Sequence, residues 1–202
     1  MNKNYIIPNE WSIIEDGFDA ENMEASESLF SIGNGSMGQR ANFEEDYSGK
    51  TFQGSYIGGI YYPDKTRVGW WKNGYPEYFA KVLNAPNWIG IHIAINGTKF
   101  DLNTCKISNF NRELNMKEGW LGRSFNAQLA SGEQIEVTAK RFVSIDFNET
   151  GAIEYHIKAL NFSGEITFAP YIDAGIENED SNYDEFFWEI LEIVDGEKSG
   201  CI

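Results

Sequence analysis

Adjacent carboxylates at Glu44-Glu45 and Asp184-Glu185, together with Glu77, are the side chains of this chain that could serve as a general acid and base. Such catalysis needs two groups that converge on one reacting bond. Neighbouring side chains on an extended strand point to opposite faces, so neither adjacent pair is expected to share a cleft. Acidic runs are also commonly solvated surface. The residues therefore predict no catalytic pair within the chain.

A glycine-rich run, IGNGSMGQR at 32–40, is the second feature that could carry chemistry. Glycines relieve backbone crowding in tight bends, and asparagine tolerates left-handed φ. A turn of this kind can cradle phosphate, but this one lacks the Lys-Ser/Thr of a P-loop and precedes no helical pattern. We predict a structural turn made by Gly33, Asn34, Gly35, Gly38 and Arg40. Arg40 and Arg141 are expected to hold buried carboxylates or an interdomain contact through their guanidinium groups.

An aromatic segment with polar neighbours is the most site-like part of the sequence. Its candidate substrate-binding residues are Trp70, Trp71, Lys72, Asn73 and Tyr75. Indole faces stack on the apolar faces of sugar rings, while lysine and asparagine hydrogen-bond hydroxyl groups. The alternative, which the burial of large aromatic surfaces favours, is packing in the core or between domains.

The charge balance argues against two classes of partner. The chain has 31 acidic and 16 basic side chains and a formal net charge of −15, which repels both nucleic acid and an anionic membrane surface. It has no apolar run of about 18 residues, the length a spanning helix needs. The first residues lack the features of a secretory signal, so we expect a cytoplasmic protein. Cys105 and Cys201 lie far apart without a CxxC spacing or a nearby His, so we expect neither a disulfide nor a zinc site. We also expect no other metal and no cofactor.

Alternating apolar residues predict antiparallel strands. Isoleucines at every second position over 89–95 indicate a strand, and Asn96-Gly97 favours a type I′ hairpin turn. The same period predicts a second hairpin over 121–143 and a continuing meander over 153–168. Because only one face of each sheet is apolar, we predict two stacked sheets, an all-β antiparallel sandwich.

Two stretches do not follow this pattern. Residues 42–87 are rich in glycine, aromatic and charged residues without periodicity, and long loops of this kind are usually functional or interface-forming. The last segment, 181–202, ends without a closing strand and so leaves unpaired sheet edges. We expect residues 1–202 to be one incomplete β-sandwich domain cut from a longer chain.

The glycine-rich run belongs to a longer motif, E-x-LF-x-IGNG-x-MG-x-R-x-NFEE at 27–45. This motif resembles the N-terminal signature of glycoside hydrolase family 65, which holds maltose, trehalose and kojibiose phosphorylases. The stretch GIYYPDKTRVGWWKNGYP at 59–76 is most similar to the members that act on maltose, and EDSNYDEFFW at 179–188 is also similar to the family.

The resemblance implies a large N-terminal β-sandwich that is followed, after a helical linker, by an (α/α)6 barrel with the active site. In such an enzyme phosphate attacks the anomeric carbon with inversion, while a barrel glutamate protonates the leaving oxygen. Phosphate is a nucleophilic co-substrate, so no second carboxylate is needed to activate water. By resemblance, then, this chain holds no catalytic residue. Its implied partners are its own barrel, a second copy in a homodimer and a maltose-like disaccharide.

Three functions compete on these grounds. In the first, the chain braces the barrel of an enzyme that converts maltose and phosphate to β-glucose 1-phosphate and glucose, and its 70–75 segment helps to shape the active-site entrance. In the second, it is a free-standing carbohydrate-binding module that binds maltose-like sugars by itself. In the third, it is a self-contained hydrolase that turns over without phosphate.

Overall fold

Antiparallel strands dominate the structure, a computed structural model that describes residues 5–66, 74, 76–178, 186–195 and 200–201. The strands are β1 (Ile6–Pro8), β2 (Ser12–Asp16), β3 (Ile32–Gly33), β4 (Met37–Gln39), β5 (Ser55–Ile57), β6 (Tyr61–Lys65), β7 (Tyr78–Val82), β8 (Ile91–Ile95), β9 (Thr98–Lys99), β10 (Lys106–Asn115), β11 (Trp120–Gln128), β12 (Gln134–Val143), β13 (Gly151–Ala159), β14 (Ile166–Pro170), β15 (Val194–Asp195) and β16 (Gly200–Cys201). The helical elements are α1 (Met23–Leu29) and 3₁₀ turns at Ala20–Asn22 and Leu102–Thr104. Within the described ranges, no helix has the length and apolar character needed to cross a membrane.

Two sheets make the sandwich. Six strands pair antiparallel in the order β1-β2-β10-β11-β12-β13, and a smaller sheet has the order β14-β8-β9. On β12 exposed and buried residues alternate strictly, as expected for a strand with one face toward a core. The remaining pairings are the small sheets β3-β4-β5, β6-β7 and β15-β16. The predicted antiparallel β-sandwich is confirmed.

Apolar side chains from both sheets form the main core. Its central members are at most 2% exposed: Ile93, Ile95, Phe110, Phe125, Ile135 and Val137. A second, smaller cluster joins Phe30 and Ile32 to Leu121 and Val143. The core thus lies where the period-two pattern placed the inner faces of β8, β11 and β12.

The predicted hairpins are confirmed, and one predicted pairing is wrong. Asn96 and Gly97 have φ of 50° and 77°, as a type I′ turn requires, and β11 pairs with β12 from Leu121–Arg141 to Gln128–Gln134. However, β14 does not extend the meander beside β13, because it pairs with β8 in the other sheet. Alternation marks a strand but carries no information on which neighbour it pairs with.

The lack of periodicity over 42–87 predicted a continuous loop, but the structure shows strands there. This stretch contains β5 and a hairpin made of β6 and β7, which we call the arm. The arm's strands are exposed or half-buried along their length. Apolar and polar residues alternate only in a strand that buries one face. The arm has no buried face, so periodicity could not predict it.

Candidate functional site

Glu44, Glu45, Arg123, Arg141 and Tyr155 form a buried ion cluster beneath the segment that follows the glycine-rich turn. Arg123 donates from Nη1 to Glu45 Oε1 at 2.5 Å and from Nη2 to Glu44 Oε2 at 2.6 Å. Arg141 donates from Nη1 to Glu44 Oε1 at 2.8 Å, and the Tyr155 hydroxyl donates to Glu45 Oε2 at 3.0 Å. The cluster therefore ties this segment to three neighbouring strands, β11, β12 and β13.

Charge balance decides the protonation of the ion cluster. Burial alone would raise the pKa of Glu44, but attraction to Arg141 and Arg123 outweighs it and holds the pKa below 4.5. Burial alone would likewise lower the pKa of Arg123, yet Glu45 and Glu44 raise it. Burial and the Glu45 charge raise the pKa of Tyr155, which stays a neutral donor. Glu44 is thus held as an anion, which disfavours its use as a general acid.

Both arguments from sequence about Glu44-Glu45 fail in the structure. The two carboxylates do not diverge, because residue 44 lies outside the strands and both side chains bind Arg123. They are also not solvated surface, since they are only 4% and 3% exposed. Glu77 is exposed, and Asp184-Glu185 lie outside the described residues.

Arg123 and Tyr155 were not singled out from the sequence, although a signal for Arg123 existed. Arg123 and Arg141 each occupy an inward-facing position of an alternating strand, between apolar residues. A charged side chain at such a position must find a buried partner of opposite charge. The sequence pattern therefore marks both arginines, but it does not name the glutamates they bind.

The glycine-rich turn is held by the side chain of Asn34. Its Oδ1 accepts hydrogen bonds from the Ser36 and Met37 backbone N–H groups at 2.9 and 2.8 Å. Its Nδ2 donates to the carbonyl oxygens of Ser144 and Asn148 at 2.5 and 3.0 Å, in the connection between β12 and β13. Because two of the turn's N–H groups are satisfied internally, they are not free to bind phosphate.

The three glycines of the turn have different roles. Gly35 has φ of +89°, which an L side chain rarely adopts. A Cβ on Gly33 would lie 3.2 Å from the Met37 carbonyl oxygen, whereas one on Gly38 would meet nothing nearer than 3.9 Å. Asn34, expected to tolerate left-handed φ, is not among the positive-φ residues.

Arg40 joins α1 to the chain before β5. It donates from Nη1 to Ser28 Oγ at 2.7 Å, from Nη2 to the Glu24 carbonyl at 3.0 Å and from Nε to the Phe52 carbonyl at 2.8 Å. Its nearest carboxylate is that of the buried Glu27, at 3.8 Å. The guanidinium thus lies beside a buried carboxylate, one of the two roles expected for it.

A shallow groove of about 270 Å³ separates the glycine-rich turn from the base of the arm. Its lining residues are Gly35, Ser36, Met37, Gly38, Tyr56, Ile57, Gly58, Tyr61 and Val82. Tyr61 is 56% exposed and Val82 is 49% exposed. The groove therefore offers an exposed aromatic ring and an apolar edge.

The predicted substrate-binding residues Trp70, Trp71, Lys72, Asn73 and Tyr75 lie outside the described residues. They stand in the sequence between Lys65 and Tyr78, which are paired across β6 and β7. The segment therefore belongs to the connection of the arm.

Comparison with known proteins gives the family. The family model described as "Glycosyl hydrolase family 65, N-terminal domain" matches residues 13–200. The chain belongs to glycosyl hydrolase family 65. The resemblance carried by the motif at 27–45 is thereby confirmed.

Several relatives of the chain are named as phosphorylases of different disaccharides. "Maltose phosphorylase" of Bacillus subtilis (strain 168) is 49% identical over 180 residues, which cover 89% of this chain and 24% of the relative. "Alpha,alpha-trehalose phosphorylase" of Thermoanaerobacter brockii is 34% identical and covers 87% of this chain and 23% of the relative. The structure titled "Putative kojibiose phosphorylase from human microbiome" superposes with a TM-score of 0.84 at 25% identity, covering 96% of this chain and 25% of that one. The chain thus spans about a quarter of the length of these relatives.

Proposed function

We propose that the chain is the non-catalytic N-terminal domain of an inverting disaccharide phosphorylase that converts maltose and phosphate to β-glucose 1-phosphate and glucose. The observation that carries the proposal is the family match over residues 13–200, together with 49% identity to a maltose phosphorylase. Maltose is chosen over trehalose and kojibiose because the maltose-acting relative is more similar to this chain than the others cited.

The ion cluster supports a non-catalytic role for the carboxylates of the family motif. Glu44 and Glu45 are neutralised by Arg123 and Arg141 and lie out of reach of solvent. A carboxylic acid that protonates a leaving group must contact substrate and hold a proton at working pH. Glu44 is buried and held as an anion, which suits neither requirement, and we propose that the acid of the reaction lies in a different part of the enzyme.

The arm supports a role at the entrance to the active site. It presents exposed rings at Tyr61, Tyr62, Tyr78 and Phe79, and it carries the connection that contains Trp70 and Trp71. Clusters of exposed aromatic side chains are commonly sites of contact with a partner. We propose that the arm lies against the catalytic barrel, where Trp70 to Tyr75 limit access of the disaccharide, and that the domain also contributes to a homodimer.

The proposal is tested on the enzyme encoded by the whole reading frame. With maltose and phosphate it should release β-glucose 1-phosphate and glucose in equal amounts, and omission of phosphate should stop the reaction. Trehalose and kojibiose are the matched substrate controls. Turnover of one of them in place of maltose would refute maltose as the substrate, and hydrolysis of maltose without phosphate would refute phosphorolysis. We expect this reaction to need phosphate as a co-substrate but no added cofactor. Subcellular fractionation of the host should recover the enzyme in the cytoplasm.

A free-standing carbohydrate-binding module is the second candidate, and the groove beside Tyr61 is the observation that favours it. It predicts saturable binding of maltose by the 202-residue chain, measured by titration calorimetry. Tyr61→Ser would abolish that binding, whereas Phe142→Ser, an exposed aromatic on β12 outside the groove lining, would not. If the wild-type chain gave no heat of binding at millimolar maltose, the carbohydrate-binding module would be refuted, and the role of a phosphorylase domain would remain.

A further inference from the structure

The arm joins the rest of the domain through a short buried stretch. The strands β6 and β7 are exposed or half-buried along their length. Directly after β7, however, Leu83, Asn84 and Ala85 are only 7%, 7% and 3% exposed. A polar side chain that is buried to this degree needs hydrogen-bond partners for its own groups. The partners of Asn84 therefore show what holds the base of the arm.

The side chain of Asn84 binds parts of the chain that precede and follow the arm in the sequence. Its Oδ1 accepts a hydrogen bond from the Ser55 backbone N–H at 2.9 Å, where β5 begins. Its Nδ2 donates to the Gln53 carbonyl oxygen and to Gln53 Oε1, both at 3.0 Å, and to the Glu177 carbonyl oxygen at 3.2 Å. An amide supplies donors and an acceptor on one short side chain, which an apolar residue of similar size cannot do.

The backbone of Asn84 is held by residues that follow β14. Its N–H donates to Asn178 Oδ1 at 2.8 Å, and Asn178 Nδ2 in turn donates to the Val82 carbonyl oxygen at 2.8 Å. Its carbonyl oxygen accepts a hydrogen bond from Trp188 Nε1 at 2.7 Å. The two backbone groups and the two side-chain polar atoms of Asn84 are thus all engaged, and together they join β5, β7 and the chain beyond β14.

Phe187 extends this contact onto the strands of the arm. The centroid of its ring lies 4.8 Å from that of Tyr62 on β6 and 5.2 Å from Lys81 Nζ on β7. The pairing of β6 with β7 fixes the two strands only to each other, and a two-stranded hairpin is marginally stable by itself. The orientation of the arm on the sandwich therefore depends on contacts outside the hairpin, and those of Asn84 and Phe187 supply them.

We infer that Asn84 is a positioning residue of the proposed phosphorylase. Together with Trp188 it sets the orientation of the arm, and through the arm it sets how well the disaccharide fits at the active-site entrance. The inference rests on the proposed function, which places the arm at that entrance. Asn84 acts indirectly, because it is buried and its polar atoms already have partners. A displaced binding element weakens substrate binding, which raises KM and leaves kcat unchanged.

Trp188→Phe tests the inference in the enzyme encoded by the whole reading frame. The variant keeps an aromatic ring and loses the indole N–H that binds the Asn84 carbonyl oxygen. Because one hydrogen bond is lost, the KM for maltose should rise about threefold to tenfold. The kcat and the KM for phosphate should stay within about twofold of the wild-type values.

Trp120→Phe is the matched control. Trp120, on β11, is also half-buried, and its indole N–H donates to Glu118 Oε2 at 2.6 Å. All three constants of this variant should match those of the wild type. An unchanged KM for maltose in Trp188→Phe would overturn the inference, and so would an equal rise in both variants.

Hydrogen exchange of the 202-residue chain, followed by mass spectrometry, measures the effect on the arm itself. In Trp188→Phe the amides of 61–65 and 78–82 should exchange at least about threefold faster than in the wild type, because local opening exposes them. Asn84→Ala should accelerate the same amides more strongly, since it removes both polar groups of the side chain. Wild-type exchange of the arm in both variants would overturn the inference.

Failure of the inference and failure of the proposed function give different results in the longer enzyme. Phosphorolysis of maltose with the same KM in Trp188→Phe as in the wild type would overturn the inference and leave the proposed function intact. Hydrolysis of maltose without phosphate would refute the proposed function, whereas a selective rise in the KM for maltose in Trp188→Phe would still support the inference.

Discussion

The ion cluster and the arm both combine ion pairs with aromatic rings, yet they differ in which parts of the chain they connect. In the cluster, Arg123 binds Glu45 and stacks over Phe43 at 4.3 Å. In the arm, Lys81 binds Asp64 at 2.5 Å and lies 5.2 Å from the ring of Phe187.

The cluster joins residues that are 78 to 110 positions apart in the sequence, and its charged side chains are at most 5% exposed. The arm joins two neighbouring strands; its ion pair is less deeply buried, with side chains 16% and 13% exposed, and its rings at Tyr61 and Tyr78 are more than half exposed. Buried pairs are costly to break, whereas exposed surface tolerates substitution. We therefore expect the cluster to carry stability, and the arm to carry surface properties on which folding does not depend.

The largest effect is expected at the centre of the ion cluster. Arg141→Ala removes a partner of Glu44 and leaves a buried carboxylate half-compensated, which should lower the free energy of unfolding by about 3–5 kcal/mol. Urea denaturation of the 202-residue chain measures it. Lys140→Ala, the adjacent exposed residue on β12, is the control and should cost less than about 1 kcal/mol. Similar values for both variants would contradict the stabilising role that we assign to the buried charges of the cluster.

Glu44→Gln should cost about 1–3 kcal/mol at neutral pH, because Arg123 and Arg141 lose a charged acceptor. The substitution should also change the pH dependence. The folded-state pKa of Glu44 lies below its unfolded value of 4.5, so its stabilisation is present above that pH and is lost as pH falls below it. Stability of the variant should therefore decline less steeply under acid conditions than that of the wild type. Glu136→Gln, on the exposed face of β12, should leave the wild-type slope unchanged.

An intermediate effect is expected in the glycine-rich turn that borders both regions. Gly35→Ala forces a side chain into a residue with φ of +89° and should cost about 1–2 kcal/mol. Gly38→Ala, where a Cβ has room, should cost less. Thermal unfolding of the two variants gives the comparison directly, and the reverse order would show that φ does not govern this turn.

The smallest effect on stability is expected in the arm. Tyr61→Ser removes a ring that is 56% exposed and should change the free energy of unfolding by no more than about 0.5 kcal/mol. Phe110→Ala, which truncates a core ring that is 2% exposed, should cost about 3–5 kcal/mol and calibrates the assay. A loss above about 2 kcal/mol for Tyr61→Ser would show that the arm is part of the core.

The sequence alone predicted the sandwich because its inner strands are amphipathic. Alternation over 121–143 predicted β11 and β12, and Asn96-Gly97 predicted the turn that the structure shows. It did not predict β10 or α1. In β10, alternation is broken by the register shift between Ser108 and Asn111. The 7 residues of α1 are too few for a helical period to be recognised.

Local features thus follow from the sequence alone: where the chain extends, where it turns, and which family motif it carries. Tertiary structure alone decided that β14 leaves the meander for β8, and that Glu44 and Glu45 converge on Arg123. The physical reason is distance along the chain. Side-chain period and turn propensity act over a few residues, whereas the ion pair between positions 45 and 123 joins residues 78 positions apart, which only the tertiary fold brings together.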